Sequence, residues 1–511
     1  MANPSVEFAE SNGVVESTAV IPDDPLFPQQ WGLPRIRADE AWIIGRGSTN
    51  SLIAVVDTGT DYNHIDLREK VIKGKNFAYG TSDPLDDNGH GTHVAGIAAA
   101  STNNDKVIAG TSWYNKILAV KVLNRQGTGT SLSVAKGILY LVNKGAKIIN
   151  LSLGGPSSSF QWLAVIYADW RNRLVVGAAG NDDTSKQSYP AAYSSVLAVG
   201  ATDQNDGKSP FSNFGNWVDI AAPGGDGSWG GGDILSTLPT YYVRLNEPPY
   251  NRNRYYDHMP GTSMATPFVS GAAAVLWAKH PTWSDEQVRE RLERTAKDIG
   301  QALGHGRIDL FDALFNGSFE TGDLSEWNVS GTMGTGNLSQ TWSSTGTVTV
   351  VSNLGLILPT KGKYMAMVST GPDSPQVSST LTKSFAVLPG TTSLTIRMDY
   401  NFVTEEYPEW VGTIYDDYFQ AKVVTSTGQE IPLAFESVNS SSFIPYFYQW
   451  YPVWKIDFYG GDQTVFMTGW KHVIYDISGL TGTGVTLKFH TWDKGDSIYD
   501  TAALIDNVKI E

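Results

Sequence analysis

Three short segments of this 511-residue chain carry side chains able to do nucleophilic chemistry. Asp57 closes an apolar run in Ser51-Leu-Ile-Ala-Val-Val-Asp57-Thr58-Gly59, His90 stands in the glycine-rich Asn88-Gly-His90-Gly-Thr-His93, and Ser263 lies in Gly261-Thr-Ser263-Met-Ala-Thr-Pro267. Singly, they read as a turn residue, a structural histidine and a helix N-cap. Together they supply a set of roles. A serine hydroxyl becomes a strong nucleophile when a neutral imidazole takes its proton, and that imidazole needs a buried carboxylate to fix its tautomer and stabilise its cationic form. A fourth segment, Leu174-Val-Val-Gly-Ala-Ala-Gly180-Asn181, ends in a side-chain amide that, with the Ser263 backbone N–H, suits the oxyanion of a tetrahedral intermediate. Pro267 is expected to be tolerated because the first turn of a helix lacks internal N–H partners.

Groups so far apart in sequence need a scaffold that gathers them. Between residues 21 and 315, apolar runs (Leu52 to Val56, Ile117 to Val122, Ile148 to Leu151, Leu174 to Val176, Val196 to Val199) alternate with stretches of helical periodicity. The helical stretches are Thr92 to Ala100, Leu132 to Asn143, Phe160 to Asn172, Ala265 to Lys279 and Ser284 to Ala296. This alternation predicts an α/β domain with a doubly wound, mostly parallel sheet. Ligands of such sheets bind beyond the carboxyl ends of the strands, where Asp57 and Asn181 fall. From residue 316 to 511 helical periodicity stops, and alternating segments rich in Ser, Thr, Gly and aromatics predict a β-sandwich, read as a jelly roll. Residues 1–20 form a leader.

Composition narrows the function classes. The chain holds 37 Lys+Arg against 52 Asp+Glu, a net charge of −15, and 10 against 20 of these fall from residue 316 onward. An acidic chain is a poor match for nucleic acid. No run approaches the ~20 apolar residues of a membrane span, and the start lacks the basic and apolar regions of a signal peptide. The absence of Cys excludes disulfides, thiolate metal sites and cysteine nucleophiles. Other hydrolytic chemistries fit less well. Asp57-Thr58-Gly59 has no second copy to make an aspartic dyad, His90-x-x-His93 lacks the Glu of a zinc motif, and Ser263 comes last without a Gly-x-Ser-x-Gly elbow.

The segments VVDTG, NGHGTHVAG, NLSLGG, AAGN and GTSMATP, in this order, resemble the subtilisin-like serine proteases over about Asp23 to Leu314. DPLFPQQWGL, AAASTNND and GATDQNDGKSPFSNFG resemble the thermitase-like branch. The resemblance implies a subtilisin-like fold and an endopeptidase working through an acyl-enzyme. Asp57, His90 and Ser263 would be the triad, Asn181 the oxyanion donor and His93 a structural helix residue. Gly127-Thr-Gly129 and Ser152-Leu153-Gly154-Gly155 resemble the family's edges for the substrate backbone. A peptide added as a strand is read through its main chain, so broad specificity is expected, with preference for a large apolar residue before the cleaved bond. Asp182 either tolerates a basic residue at the pocket mouth or is a solvated loop carboxylate. The segment from Gly224 to Pro260 is longer than the thermitase-like pattern and is read either as a cleft wall or as an inert surface insertion.

A Cys-free protein of this class needs another staple, and the resemblance points to Ca2+. One site would use Asp24, Asp66 and Asn104 with backbone oxygens near Ser101, Lys106 and Ile108. A second, between Asn76 and Asp87, would rely on Asp83 and Asp86. Calcium is expected to stabilise the fold and to take no part in the chemistry. Residues Val6 to Val14 resemble the tail of an inhibitory prodomain, which implies a secreted zymogen, with its own prodomain as a partner, acting as a monomer on protein and peptide substrates. The C-terminal part resembles carbohydrate-binding-type jelly rolls through Asn316-Gly-Ser-Phe-Glu320 and Leu504-Ile-Asp506-Asn507-Val508. That implies calcium at Glu320 and Asp506 and docking to a polysaccharide or an insoluble protein. A further acidic group is Glu405, Glu406 and Glu409 with Asp416 and Asp417. The alternative is a binding or adhesion protein with a catalytically silent protease domain.

Overall fold

The structure, a computed structural model, describes residues 20–315 except 229 and 301, and beyond them mainly strands with adjoining turns. Two compact units emerge, Val20–Leu314 and the described residues from Phe315 onward. The first is built on a seven-stranded sheet ordered β2-β3-β1-β4-β5-β6-β7. Its strands are β1 (Leu52–Asp57), β2 (Val71–Asn76), β3 (Lys116–Lys121), β4 (Ile148–Leu151), β5 (Leu174–Ala178), β6 (Val196–Thr202) and β7 (Ile220–Pro223). Every pairing within it is parallel. The central strands bury nearly every side chain, because helices cover both faces, and their sequences are therefore unbroken Val, Ile, Leu and Ala rather than alternating. Elements the apolar runs did not reveal are β2, which is mostly polar, the four-residue β7, and the hairpin of β8 (Ile234–Thr237) with β9 (Tyr256–Met259).

On one face, helices Ser131–Asn143 and Ser159–Trp170 pack over a core that includes Val56, Val120, Ile138, Leu141, Ile149 and Val165. The first is fixed by a reciprocal capping box between Thr130 and Ser133. On the other face lie helices His90–Ala99 and Thr262–Lys279, with reactive side chains at their amino ends. The second of these is buried nearly all round, so its sequence shows almost no polar face. The two approach closely at Gly271, where an added Cβ would lie 2.5 Å from Thr111 Cβ and 2.7 Å from the Ala98 carbonyl oxygen.

Pro267 sits past the first turn, so the expectation about it needs a different cause. Its missing N–H would have bonded the Ser263 carbonyl one turn back. That carbonyl accepts the Ser152 hydroxyl instead, at 2.8 Å.

From residue 316 the described strands form a five-stranded and an eight-stranded sheet. All pairings are antiparallel except that of Thr332–Met333 with Thr347–Val351. Their facing sides meet through rings such as Tyr400 and Phe419, 5.2 Å apart, and this β-sandwich buries the aromatic residues that crowd this part of the sequence.

The Gly271 contact makes a test. Gly271→Val should force the His90 and Ser263 helices apart at a cost of about 1–3 kcal/mol, read as a lower melting temperature by circular dichroism. A variant melting with the parent would show that the two helices have room to spare.

Candidate active site

Asp57, the last residue of β1, is fully buried, and its Oδ1 lies 2.8 Å from His90 Nδ1. A carboxylate oxygen only accepts, so Nδ1 carries the proton and Nε2 keeps its lone pair. Closure of the His90 helix onto β1 needs glycine at position 91, where a Cβ would stand 2.1 Å from the Gly59 carbonyl oxygen and 3.0 Å from Asp57 Cβ. Burial pushes His90 toward its neutral form, but the charge and hydrogen bond of Asp57, with Asp86 behind, outweigh it and hold the pKa above the ordinary imidazole value. His93 shares none of this. It is buried, faces the Asp257 carbonyl at 3.0 Å through Nε2, and burial lowers its pKa to about 3, so it is a neutral structural residue.

Asp86, which the sequence offered as a calcium ligand, has another role. Its Oδ1 accepts from the Thr58 hydroxyl and from the N–H groups of Asn88 and Gly89; its Oδ2 accepts from the N–H and hydroxyl of Thr92. Thr58 Oγ1 in turn accepts the Gly91 N–H at 2.9 Å. This carboxylate joins the end of β1 to the start of the His90 helix and has no oxygen left for a metal. Buried Lys121 adds a second tie, donating to the Thr58 carbonyl and to Asp87.

Ser263 begins the second helix, and its Oγ donates to the Ser152 carbonyl at 3.2 Å; no hydrogen bond joins it to His90 in this structure. Asn181 Oδ1 accepts from the N–H and hydroxyl of Thr262, both at 2.9 Å, which fixes the orientation of its amide. A Cβ built on Gly261 would be 3.6 Å from both Asn181 Nδ2 and the Ser263 backbone nitrogen. Two donors thus flank one small space, which glycine leaves open. Asn213 supports the Asn181 turn from behind, donating to the Ala179 carbonyl and accepting from Asp182 N–H. A buried chain from Ser270 through Asn150 to Ser152 ties the Ser263 helix to β4.

A cleft of about 480 Å³ opens beside these groups, and Gly127, Gly129 and Ser152 to Gly155 all line it. Leu245, Tyr250 and Arg252 from between β8 and β9, with Met259, form a further wall that sequence reading had left open. Asp182 is exposed and does not line the cleft, in keeping with a solvated loop carboxylate.

The loop expected to hold a metal brings its residues together. Asp24 Oδ2 accepts the Asn103 N–H, Asp66 Oδ2 accepts the Tyr256 hydroxyl, Ser101 N–H donates to the Asp66 carbonyl, and Asn104 Oδ1 accepts Lys106 N–H. In the sandwich, buried Asp506 faces Asp399 across the paired strands, and Thr360 Oγ1 reaches a carboxylate oxygen of each. Glu320, Glu405, Glu406, Glu409 and residues 1–19 lie outside the described residues. What sequence reasoning missed here is the support rather than the reactive groups. Asp86 is one of several acids in Asp83-Pro-Leu-Asp-Asp-Asn-Gly-His90, and only the fold distinguishes it from Asp83 and Asp87.

Residues 48–319 match the model of the subtilase family. Thermitase of Thermoactinomyces vulgaris is 45% identical over 298 residues, covering 57% of this chain and 99% of thermitase. A thermophilic serine proteinase of a Bacillus species (strain AK1) is 43% identical over 317 residues, or 61% of this chain and 73% of the relative. Among solved structures, a protease of Pseudoalteromonas arctica aligns with a TM-score of 0.53 and 29% identity, over 57% of this chain and 98% of the other. A family match across more than half the chain, joined to the coverage of nearly all of thermitase, makes this protein a member of the subtilase family of serine endopeptidases, in its thermitase-like branch.

Proposed function

We propose that the cleft hydrolyses peptide bonds through Ser263, His90, Asp57 and Asn181. The observation that carries this is the convergence of a buried carboxylate–imidazole pair with two N–H donors flanking the space at Gly261. Ser263 Oγ turns about χ1 from the Ser152 carbonyl toward His90 Nε2, gives up its proton and attacks the substrate carbonyl carbon. The developing oxyanion is received by Asn181 Nδ2 and Ser263 N–H. His90 passes the proton to the departing amine, and water then releases the acyl group by the same route in reverse. Asp57 stays ionised and stabilises the imidazolium. Gly127 to Gly129 and Ser152 to Gly155 hold the substrate as an added strand. No Asp or Glu lines the cleft among the described residues, which supports a large apolar side chain before the cleaved bond.

Calcium at Asp24, Asp66 and Asn104, with oxygens from Ser101, Lys106 and Ile108, is part of the same reading. Its support is that Asp24 Oδ1 and Asp66 Oδ1 are both buried without a hydrogen-bond partner, a poor state for carboxylates unless a hard cation takes them. Bound there, the ion would neutralise the two acids and brace the loop. Asp506 with Asp399 is the corresponding candidate in the sandwich. Export follows from the family resemblance. Helix Ser159–Trp170 exposes Phe160, Leu163 and Trp170, beside exposed Leu132 and Leu139 of its neighbour, an apolar face suited to the inhibitory prodomain whose tail the leader resembles. The domain limits are 1–20, 21–315 and 316–511. The sandwich is read as a docking module, and a pull-down on polysaccharides and insoluble proteins separates its ligands.

Casein hydrolysis should disappear with Ser263→Ala, and persistence of activity in that variant would sink the assignment. Asn181→Ala should lower turnover by about 10²–10³ with little change in KM, and Asp57→Asn by about 10⁴. Because only the neutral imidazole accepts the proton, kcat/KM should fall as pH drops through a His90 pKa above the ordinary value. Asp86→Asn should move that acid limb to lower pH.

Burial, with Asn103 opposing and Asp23 and Asp66 adding their charge, raises the Asp24 pKa to about 6 without a cation. A carboxyl raised on folding contributes stability at low pH and loses it as pH rises through the folded value. In chelator, the melting temperature should therefore fall as pH climbs from about 4 to about 6, and calcium should restore it most above that range, where the carboxylate is ionised. Asp24→Asn should remove most of the response to calcium. Amino-terminal sequencing of active enzyme should place the maturation cut between Val14 and Ile21.

A further inference from the structure

Helix Ser159–Trp170 buries a single stripe, made of residues 161, 164, 165 and 168. This is the spacing of an apolar helix face, and Ala164, Val165 and Ala168 fit it, joining the core that holds Val134, Ile138 and Leu141. The fourth member is Gln161. It is only 5% exposed, and its Oε1 is enclosed without a hydrogen-bond partner among the described residues. An apolar side chain would serve the packing better, because an enclosed amide oxygen that bonds to nothing costs stability. A departure of this kind from an element's own pattern is characteristic of functional sites.

The same side chain lines the cleft. At its first turn the helix leaves the core and meets the cleft beside Ser131 and Val134, which begin the neighbouring helix, and Leu153 of the edge assigned to the substrate. Both helix starts are held. The capping box of Thr130 and Ser133 fixes one, and Tyr193 fixes the other, its hydroxyl accepting the Ser158 N–H at 2.8 Å and donating to the Ser158 carbonyl at 2.9 Å. The Tyr193 ring packs against Tyr189 with centroids 4.7 Å apart, and Tyr189 exchanges both backbone hydrogen bonds with Gly155, at 2.8 and 3.0 Å. Gln161 is thus carried in a fixed relation to the Ser152 to Gly155 edge, and groups fixed in this way discriminate between substrates.

We propose that Gln161 is a specificity-determining residue, whose carboxamide gives one pocket of the cleft a polar floor and so favours a substrate side chain ending in a hydroxyl over the apolar side chain of the same shape. This rests on the endopeptidase reading of the same cleft. Side chains of a bound strand alternate in direction, so those of one parity turn down between the two substrate edges toward the helix starts. A side chain there finds Val134 and Leu153 for its apolar body and Gln161 for its tip. Tyr or Thr satisfies both, its hydroxyl donating to Oε1. Phe or Val in the same place shields Oε1 from water and gives it no partner, and that asymmetry is what makes a buried polar group selective. The preference is additional to the apolar choice at the residue before the cleaved bond.

The test compares the parent with Gln161→Met and Gln161→Leu on fluorogenic peptides in which Tyr and Phe, then Thr and Val, are exchanged at each position in turn. At one position the parent should cleave the hydroxyl-bearing peptide of each pair with kcat/KM about three- to tenfold above its apolar counterpart. Both variants should bring that ratio to about one or below, through faster cleavage of the Phe and Val peptides, and leave the other positions unchanged. Both should also melt at or above the parent temperature, because an unpaired buried oxygen has been removed. A parent that shows no such pair preference at any position overturns the inference, as does a folded variant whose ratios match the parent's throughout. A parent with no Ser263-dependent hydrolysis of any peptide overturns the endopeptidase reading instead.

Discussion

The catalytic arrangement depends on one buried carboxylate that takes no part in the chemistry. Asp86 gathers five donors from the end of β1 and the first turn of the His90 helix, and so sets the distance at which Asp57 meets His90. An ionised group in so enclosed a place is costly unless every lone pair is used. Here they are used by the same backbone groups that must be held still. The position of the imidazole is therefore fixed by hydrogen bonds formed on folding, before any substrate arrives.

A parallel sheet explains why such distant segments can be brought together. Each strand delivers its last residue to the same edge, and a helix returning across the sheet presents the N–H groups of its first turn there. Asp57 and Asn181 come from strand ends, and His90 and Ser263 from helix starts, so four segments spread over some two hundred residues meet, with Gly59, Gly89, Gly180 and Gly261 turning the chain beside them at positive φ. The glycines at 91, 261 and 271 make the meeting possible by letting neighbours approach where a side chain would intervene.

What the sequence made legible was local chemistry. Asp57, His90, Ser263 and Asn181 stand in short motifs whose residue types carry the proposed roles, and the apolar runs located five of the seven strands of the parallel sheet. The supports were illegible for a physical reason: Asn150, Asn213 and Lys121 acquire meaning from partners far away in the chain, and Asp86 from the way its own loop folds back on the start of the His90 helix. Pro267 was accounted for by the wrong cause, since the helix begins early enough to place it beyond the first turn. The segment between β8 and β9 was read as either a cleft wall or an inert insertion, because several of its anchors are the backbone carbonyls of Asp86, Asp87 and Asn88, which leave no mark on composition.

Pro267 breaks one rung of the helix ladder, and the freed carbonyl belongs to the residue that bears the nucleophile. Ser152 occupies that carbonyl with its hydroxyl while offering its own carbonyl to the Ser263 hydroxyl. The edge assigned to the substrate and the helix that carries Ser263 are thus fastened together at Ser263 itself. On the proposed mechanism, the seating of a peptide against this edge therefore bears directly on the alignment of Ser263.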